Sequence, residues 1–158
     1  MPDLWVLEFD RDAAPGLPPQ AEAWRALEGP LQRAYVAAAT SPGPHWQGLH
    51  LLLQRPGASA GANPTHHYIV ETEVPPEHEA EFNDWYASEH LPGLAAVPGT
   101  VHAARYRLGG SARYLAAYKL TSPAVLASDA WLAVRHTAWS SRVRPWFRHT
   151  RRLMFAAA

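Results

Sequence analysis

The stretch FNDWYASEHLPGL, residues 82–94, sets aromatic side chains at helical spacing and puts a histidine on the same stripe. Four-residue steps return to one side of an α-helix, so Phe82, Tyr86 and His90 share a face, with Trp85 beside them. Such a face turns toward an apolar core, which leaves His90 to be explained. The helix is expected to span Pro75 to Val97: Pro76 suits a first turn, and Glu77, Glu79 and Glu81 complement the N-terminal dipole. Leu91 precedes Pro92 and is pushed away from helical angles, so His90 is expected at a helix end, where a cleft opens. Two readings stand at this point. The imidazole either bonds a neighbouring carbonyl as part of the wall, or it faces a pocket and handles protons, since a histidine titrates near neutral pH.

Around this helix the chain reads as alternating strands and helices. Thr65 to Val74, Val101 to Arg107 and Arg113 to Leu120 have strand length, and Gly109-Gly110 makes the last two a hairpin. Ser122-Pro123 opens a helix to about His136, a second helical piece covers Trp139 to Phe147, and Arg151 to Ala156 reads as a closing strand. Toward the N-terminus, Leu4 to Phe9 is a strand. Trp24, Leu27, Leu31 and Tyr35 recur at three- and four-residue steps, which predicts an amphipathic helix over Gln20 to Thr40, bent at Gly29-Pro30. Trp46 to Gln54 follows as a strand. The division is therefore a βαβ half-repeat over 1–54, a linker over 55–65 and a βαββαβ unit over 66–158, packed as one compact domain. Ala23-Trp24 and Ala130-Trp131 fall at matching places, which hints at an internal repeat.

Strand alternation sorts the remaining candidates. His66, Tyr68, Val70, Thr72 and Val74 share one face, and His67, Ile69, Glu71 and Glu73 the other. The first set is expected to face the helices, together with His102, Ala104 and Tyr106 on the next strand and Tyr114, Ala116 and Tyr118 on the third. Alanines beside tyrosines either leave room for a flat ligand or simply admit the helix tryptophans. On the opposite, charged face, Glu71 and Glu73 are expected to pair with Arg105 or Arg113. Asp84 and Glu89 read as solvent-facing. The arginines from Arg142 to Arg152, interleaved with Trp146 and Phe147, read as a solvated helix face over buried aromatics.

Composition removes several function classes. The formal net charge of 0 provides no handle for a polyanion, so no nucleic-acid partner is expected. With Cys at 0, thiolate chemistry and cysteine metal sites are excluded. No segment approaches the roughly 18 continuous apolar residues of a membrane span, and the N-terminus lacks a basic start followed by an apolar run, so a cytoplasmic protein is expected. Histidines are scattered without metal-ligand spacing, and neither a phosphate loop nor a nucleophile elbow occurs, so no metal or cofactor is expected.

The βαββαβ order over 66–158 is that of a ferredoxin-like α+β plait. Within it, FNDWYASEHLPGLAAVPGTVHAARYR (82–107) and RYLAAYKLTSPAVLASDAW (113–131) resemble the EthD-like group of the dimeric α+β barrel superfamily. That resemblance implies two sheets meeting face to face, usually from two subunits, and a pocket between sheet and helices. Relatives of that kind include cofactor-independent monooxygenases, muconolactone isomerases and polyketide cyclases. The expectation is a homodimeric, cofactor-free enzyme acting by proton transfer on a small hydrophobic or aromatic molecule. His90 and Tyr86 would be catalytic, and Tyr68, His102, Tyr106, Trp85 and Phe82 would bind the ligand. The rival is a non-catalytic ligand-binding or assembly module in which the same residues only pack.

Overall fold

Two four-stranded halves close a single antiparallel barrel. The structure, a computed structural model, describes residues 2–158. The N-terminal half contributes β1 (Leu4–Asp10), β2 (Glu22–Ala26), β3 (Leu31–Ala37) and β4 (Gln47–Pro56). The C-terminal half contributes β5 (His66–Glu73), α1 (Glu79–Trp85), a widened helical turn over Tyr86–His90, α2 (Leu91–Ala95), β6 (Thr100–Leu108), β7 (Tyr114–Leu120), α3 (Asp129–Arg135), α4 (Ala138–Val143) and β8 (Arg148–Ala157). Around the barrel the order is β1-β3-β2-β8-β5-β7-β6-β4, with β4 returning to β1. The C-terminal half thus has the ferredoxin-like order β8-β5-β7-β6, as expected. The N-terminal half repeats the same order, β4-β1-β3-β2, without the helices.

The helix predicted over Gln20 to Thr40 is instead the β2–β3 hairpin, so the N-terminal βαβ half-repeat is corrected to four strands. The spacing of Trp24, Leu27, Leu31 and Tyr35 imitates a helical stripe, but Gly29 adopts φ 78 and the chain reverses there. Flanking residues then alternate as strands do, with Trp24 and Ala26 buried while Glu22 and Arg25 are exposed. The Ala23-Trp24 and Ala130-Trp131 match dissolves for the same reason, because Trp24 lies on β2 and Trp131 in α3. The repeat that does exist pairs whole halves, β1 with β5, β2 with β6, β3 with β7 and β4 with β8, in the same strand order. Val6-Leu7-Glu8 on β1 occupies the place of Ile69-Val70-Glu71 on β5.

The segment joining the halves is pinned rather than loose. Gly57 N donates to Val101 O at 2.9 Å and Ala58 N to Ala95 O at 2.8 Å. A Cβ on Gly57 would lie 1.9 Å from Thr100 O, so only glycine permits this approach.

Inside the barrel, Val6, Trp24, Leu49, Ile69, Leu115 and Phe155 form an apolar layer. At one end, Glu8 and Glu71, matching positions of the two halves, both accept from the buried Arg33. Arg151 adds contacts of 3.0 Å to Glu8 and 3.4 Å to Glu71. Arg113 reaches Glu71 at 3.5 Å and Glu73 at 3.6 Å, as anticipated. Arg105 takes no part, since it lies on the other side of the sheet. Burial alone would raise the Glu8 carboxyl, yet Arg33 and Arg151 together hold it below its usual value.

On the outside of the C-terminal half, the helices pack Phe82, Trp85, Leu91, Leu94 and Trp131 against Ala103, Tyr114, Ala116 and Tyr118. The small alanines admit the indoles. Hydroxyl caps start the last two helices: Ser128 Oγ accepts from Trp131 N at 3.2 Å and Thr137 Oγ1 from Ser140 N at 3.1 Å. No helix among the described residues is long and apolar enough to cross a membrane.

Candidate functional site: the cleft between helices and sheet

The helix from Glu79 does not stop before Pro92. Leu91 keeps helical angles, φ −69 and ψ −46, and its N–H bonds to Tyr86 O, five residues back. One extra residue in this turn lets the chain pass the proline, which cannot donate to a preceding carbonyl. His90 therefore sits within a continuous helical segment, not at the expected helix end. The wider turn also changes who faces whom. Five-residue spacing lays the His90 ring on Trp85, with centroids 4.1 Å apart and planes 20° apart, while Tyr86 meets His90 edge-on at 5.3 Å.

Four expected site residues, Tyr68, Trp85, Tyr86 and His90, line one hollow between this segment and the sheet. Tyr118 and Trp131 complete its walls, and Arg135, Arg144 and Arg152 stand at its rim. The hollow is small, about 40 Å³, which admits water but not an aromatic ring. Among the residues that line it, the buried Trp85 Nε1, His90 Nδ1 and Tyr118 OH have no hydrogen-bond partner in the protein. Buried polar groups are normally paired, so three unpaired ones around a single hollow mark it as a candidate site.

Electrostatics define what these groups can do. Burial, reinforced by Arg144 and then Arg135, lowers the His90 imidazole to about 3. It is a neutral ring throughout the physiological range. Burial pushes the Tyr86 phenol up to about 12 despite the opposing Arg105 charge, so it stays protonated and can donate. Arg105 is itself buried in an aromatic cage, its guanidinium carbon 4.4 Å from the Tyr86 ring centroid, 4.5 Å from Tyr114 and 4.7 Å from Phe82.

Three expected ligand contacts lie elsewhere. Phe82 is fully buried beneath Arg105 and Tyr114 and does not reach the hollow. His102 and Tyr106 face the barrel interior, so their placement toward the helices is corrected. Alternation separates two faces of a strand but does not say which face a helix covers. It is Ala103 and Arg105 that turn to the helices. The rim arginines escaped notice because Arg144 and Arg152 read as a solvated tail. Their signal was register: Arg152 pairs with Val70 and so shares the helix side, whereas Arg151 pairs with Glu71 and points inward.

With this geometry in place, comparison with known proteins concerns fold. Neither any family model nor any curated protein matches the sequence. Solved structures do. An uncharacterised ferredoxin-fold protein of Listeria monocytogenes, related to antibiotic biosynthesis monooxygenases, superposes with TM-score 0.66 at 9% identity, over 100% of this chain and 96% of the other. This chain shares that ferredoxin-like α+β barrel fold. A heme-degrading enzyme of Listeria monocytogenes matches with TM-score 0.62 at 10% identity, covering 98% and 99%. An anthrone oxidase-like protein matches with TM-score 0.62 at 15% identity, covering 98% and 91%. At these identities the likeness establishes architecture, and chemistry must come from the residues.

Proposed function

We propose that the chain is a small-molecule enzyme of the EthD-like, cofactor-independent kind, acting by proton transfer in the cleft at His90. The observation that carries this reading is a single hollow lined by Trp85, His90 and Tyr118, each with an unpartnered buried polar atom, and by three arginines. A guest entering from that rim meets aromatic walls for orientation and guanidinium groups for negative charge. His90 takes a proton from an acidic C–H or O–H of the substrate, the electron pair moves onto the substrate's carbonyl or ring oxygen, and the neutral Tyr86 phenol donates a hydrogen bond to that oxygen. The proton then returns at another position. This step is common to isomerisation, cyclisation and the activation that precedes oxygenation.

An imidazole at about 3 is a weak base when the cleft is empty. A substrate that carries or develops negative charge offsets Arg144 and Arg135, two of the causes that lower it, and so strengthens the base as it binds. The small hollow requires a side chain to swing aside, and Arg135 and Trp131, both on α3, form that wall. Heme, which one neighbour is named for degrading, does not fit: the hollow is far smaller than a porphyrin, and one face of His90 is taken by Trp85. The homodimer expected from the sequence belongs to this proposal on altered terms. The charged sheet face that motivated it is covered by the chain's own β1–β4, so a second copy would pair through the outer surface.

The test follows α-proton exchange of one-ring enolisable ketones in deuterium oxide without added cofactor. Catalysed exchange is expected, with His90→Gln reducing it ~100-fold or more while the circular dichroism spectrum is retained. Because free His90 is already unprotonated, kcat/KM should stay flat from pH 8 down to pH 5. Exchange unaffected by His90→Gln would remove the proposal and favour the packing module.

A further inference from the structure

Beyond the helix cleft, a second space lies inside the barrel, across the sheet from it. Ala104 on β6 and Ala117 on β7 are direct cross-strand partners, and both turn inward. With Tyr35 and Tyr106 beside them, they leave a cavity of about 200 Å³. That exceeds the ~150 Å³ known to admit benzene in a protein interior. The cavity occupies the barrel end opposite Glu8, Arg33 and Glu71, with Val6, Ile69 and Leu115 between.

One buried polar pair defines its chemistry. Arg33 can only donate, and its Nη1 lies 3.3 Å from Tyr35 Oη. The single Tyr35 proton is therefore directed to His67 Nε2, 2.8 Å away. His67 is 3% exposed and clamped by Trp24, with ring centroids 5.1 Å apart and planes 30° apart. Burial, then Arg33 and Lys119, hold its imidazole well below the ordinary range, so the ring is neutral and its proton sits on Nδ1. That Nδ1–H has no acceptor in the protein. At the mouth, Lys119 and Glu22 pair at 3.1 Å and His102 contacts Gln54 at 3.2 Å, so the rim is polar and already partnered.

We infer that this cavity is a second small-molecule site, shaped for a single-ring aromatic compound carrying one hydrogen-bond acceptor, to which the His67 Nδ1–H donates. The ring lies against Ala104 and Ala117 between the tyrosines, and the acceptor reaches His67. This site does not depend on the reading of His90, since the two hollows share no lining residue.

The test is a titration of the ¹⁵N-histidine-labelled full chain, followed by NMR, with acetophenone and with ethylbenzene, which has a similar ring and no acceptor. Saturable binding of acetophenone should shift the His67 imidazole resonances and leave those of His90 in place. Ethylbenzene should bind at least tenfold more weakly, and Ala117→Leu, which fills the cavity, should weaken acetophenone at least tenfold. No saturable binding up to the solubility limit, equal affinity for the two compounds, or shifts confined to His90 would each overturn the inference. The wild-type titration decides even where Ala117→Leu folds poorly.

Discussion

His90 and His67 are both neutral in the folded chain for the same first reason, burial, and each then gains a push from a nearby arginine. In the unfolded chain they titrate near 6.5. Below that value the unfolded state binds protons that the folded state refuses, so these two groups withdraw stability as pH falls, and for His90 the loss continues until about pH 3. For His90 the slope across that window is that of one proton. Urea unfolding at pH 6 and pH 5 should therefore show stability dropping with acid, and His90→Gln should remove about one proton's share of the slope. An unchanged slope would mean that His90 is solvated in the folded state.

Among the elements, the widened turn Tyr86–His90 is the one that makes the cleft. It places His90 over Trp85 instead of continuing the Phe82–Tyr86 stripe, and it carries the helix through Pro92 into α2. The extra residue can be taken out at Ser88, whose side chain is exposed and bonds only Asp84 at 2.9 Å. Deleting Ser88 should restore ordinary helical spacing: Trp85 and His90 become four-residue neighbours and stay on one face, while Pro92 comes to lie four residues after Ala87, where its ring meets that carbonyl. The expected outcome is destabilisation of about 3 kcal/mol in urea unfolding, from proline in an uninterrupted α-turn, with His90 still beside Trp85. Unchanged stability would show that the turn's width is incidental.

At the scale of the molecule, barrel closure within one chain explains why the charged face needs no second subunit. Glu71 is 2% exposed because Arg33 from the other half lies against it. A buried carboxylate stripped of such a partner is strongly unfavourable. Residues 57–158 alone would expose Ile69, Glu71, Leu115 and Phe155 along an open sheet face. Light scattering should find that fragment self-associated, while the full chain keeps a single defined mass under the same conditions. A folded, monomeric fragment would show that the N-terminal half is dispensable to the core.

The plait of residues 66–158 was legible from local pattern, since period-two strands, a helix with acidic first-turn residues and glycine turns are all short-range signals. So was the grouping of Trp85, Tyr86 and His90, whose spacing along one helix puts them near one another; Tyr68 joins them from β5 across the sheet. What local pattern did not carry was anything settled by partners distant in the chain. Trp24, Leu27, Leu31 and Tyr35 fit a helix until β8 and β1 recruit their backbones into ladders, and only the assembled barrel says that His102 and Tyr106 look inward. The widened turn before Pro92, the Arg33 bridge between halves and the small volume left around His90 are products of packing, where competing contacts are weighed together. Residue order determined the plait and its candidate acid–base groups. Tertiary structure decided which of them share a space, because burial and charge at a site are sums over side chains that the sequence keeps far apart.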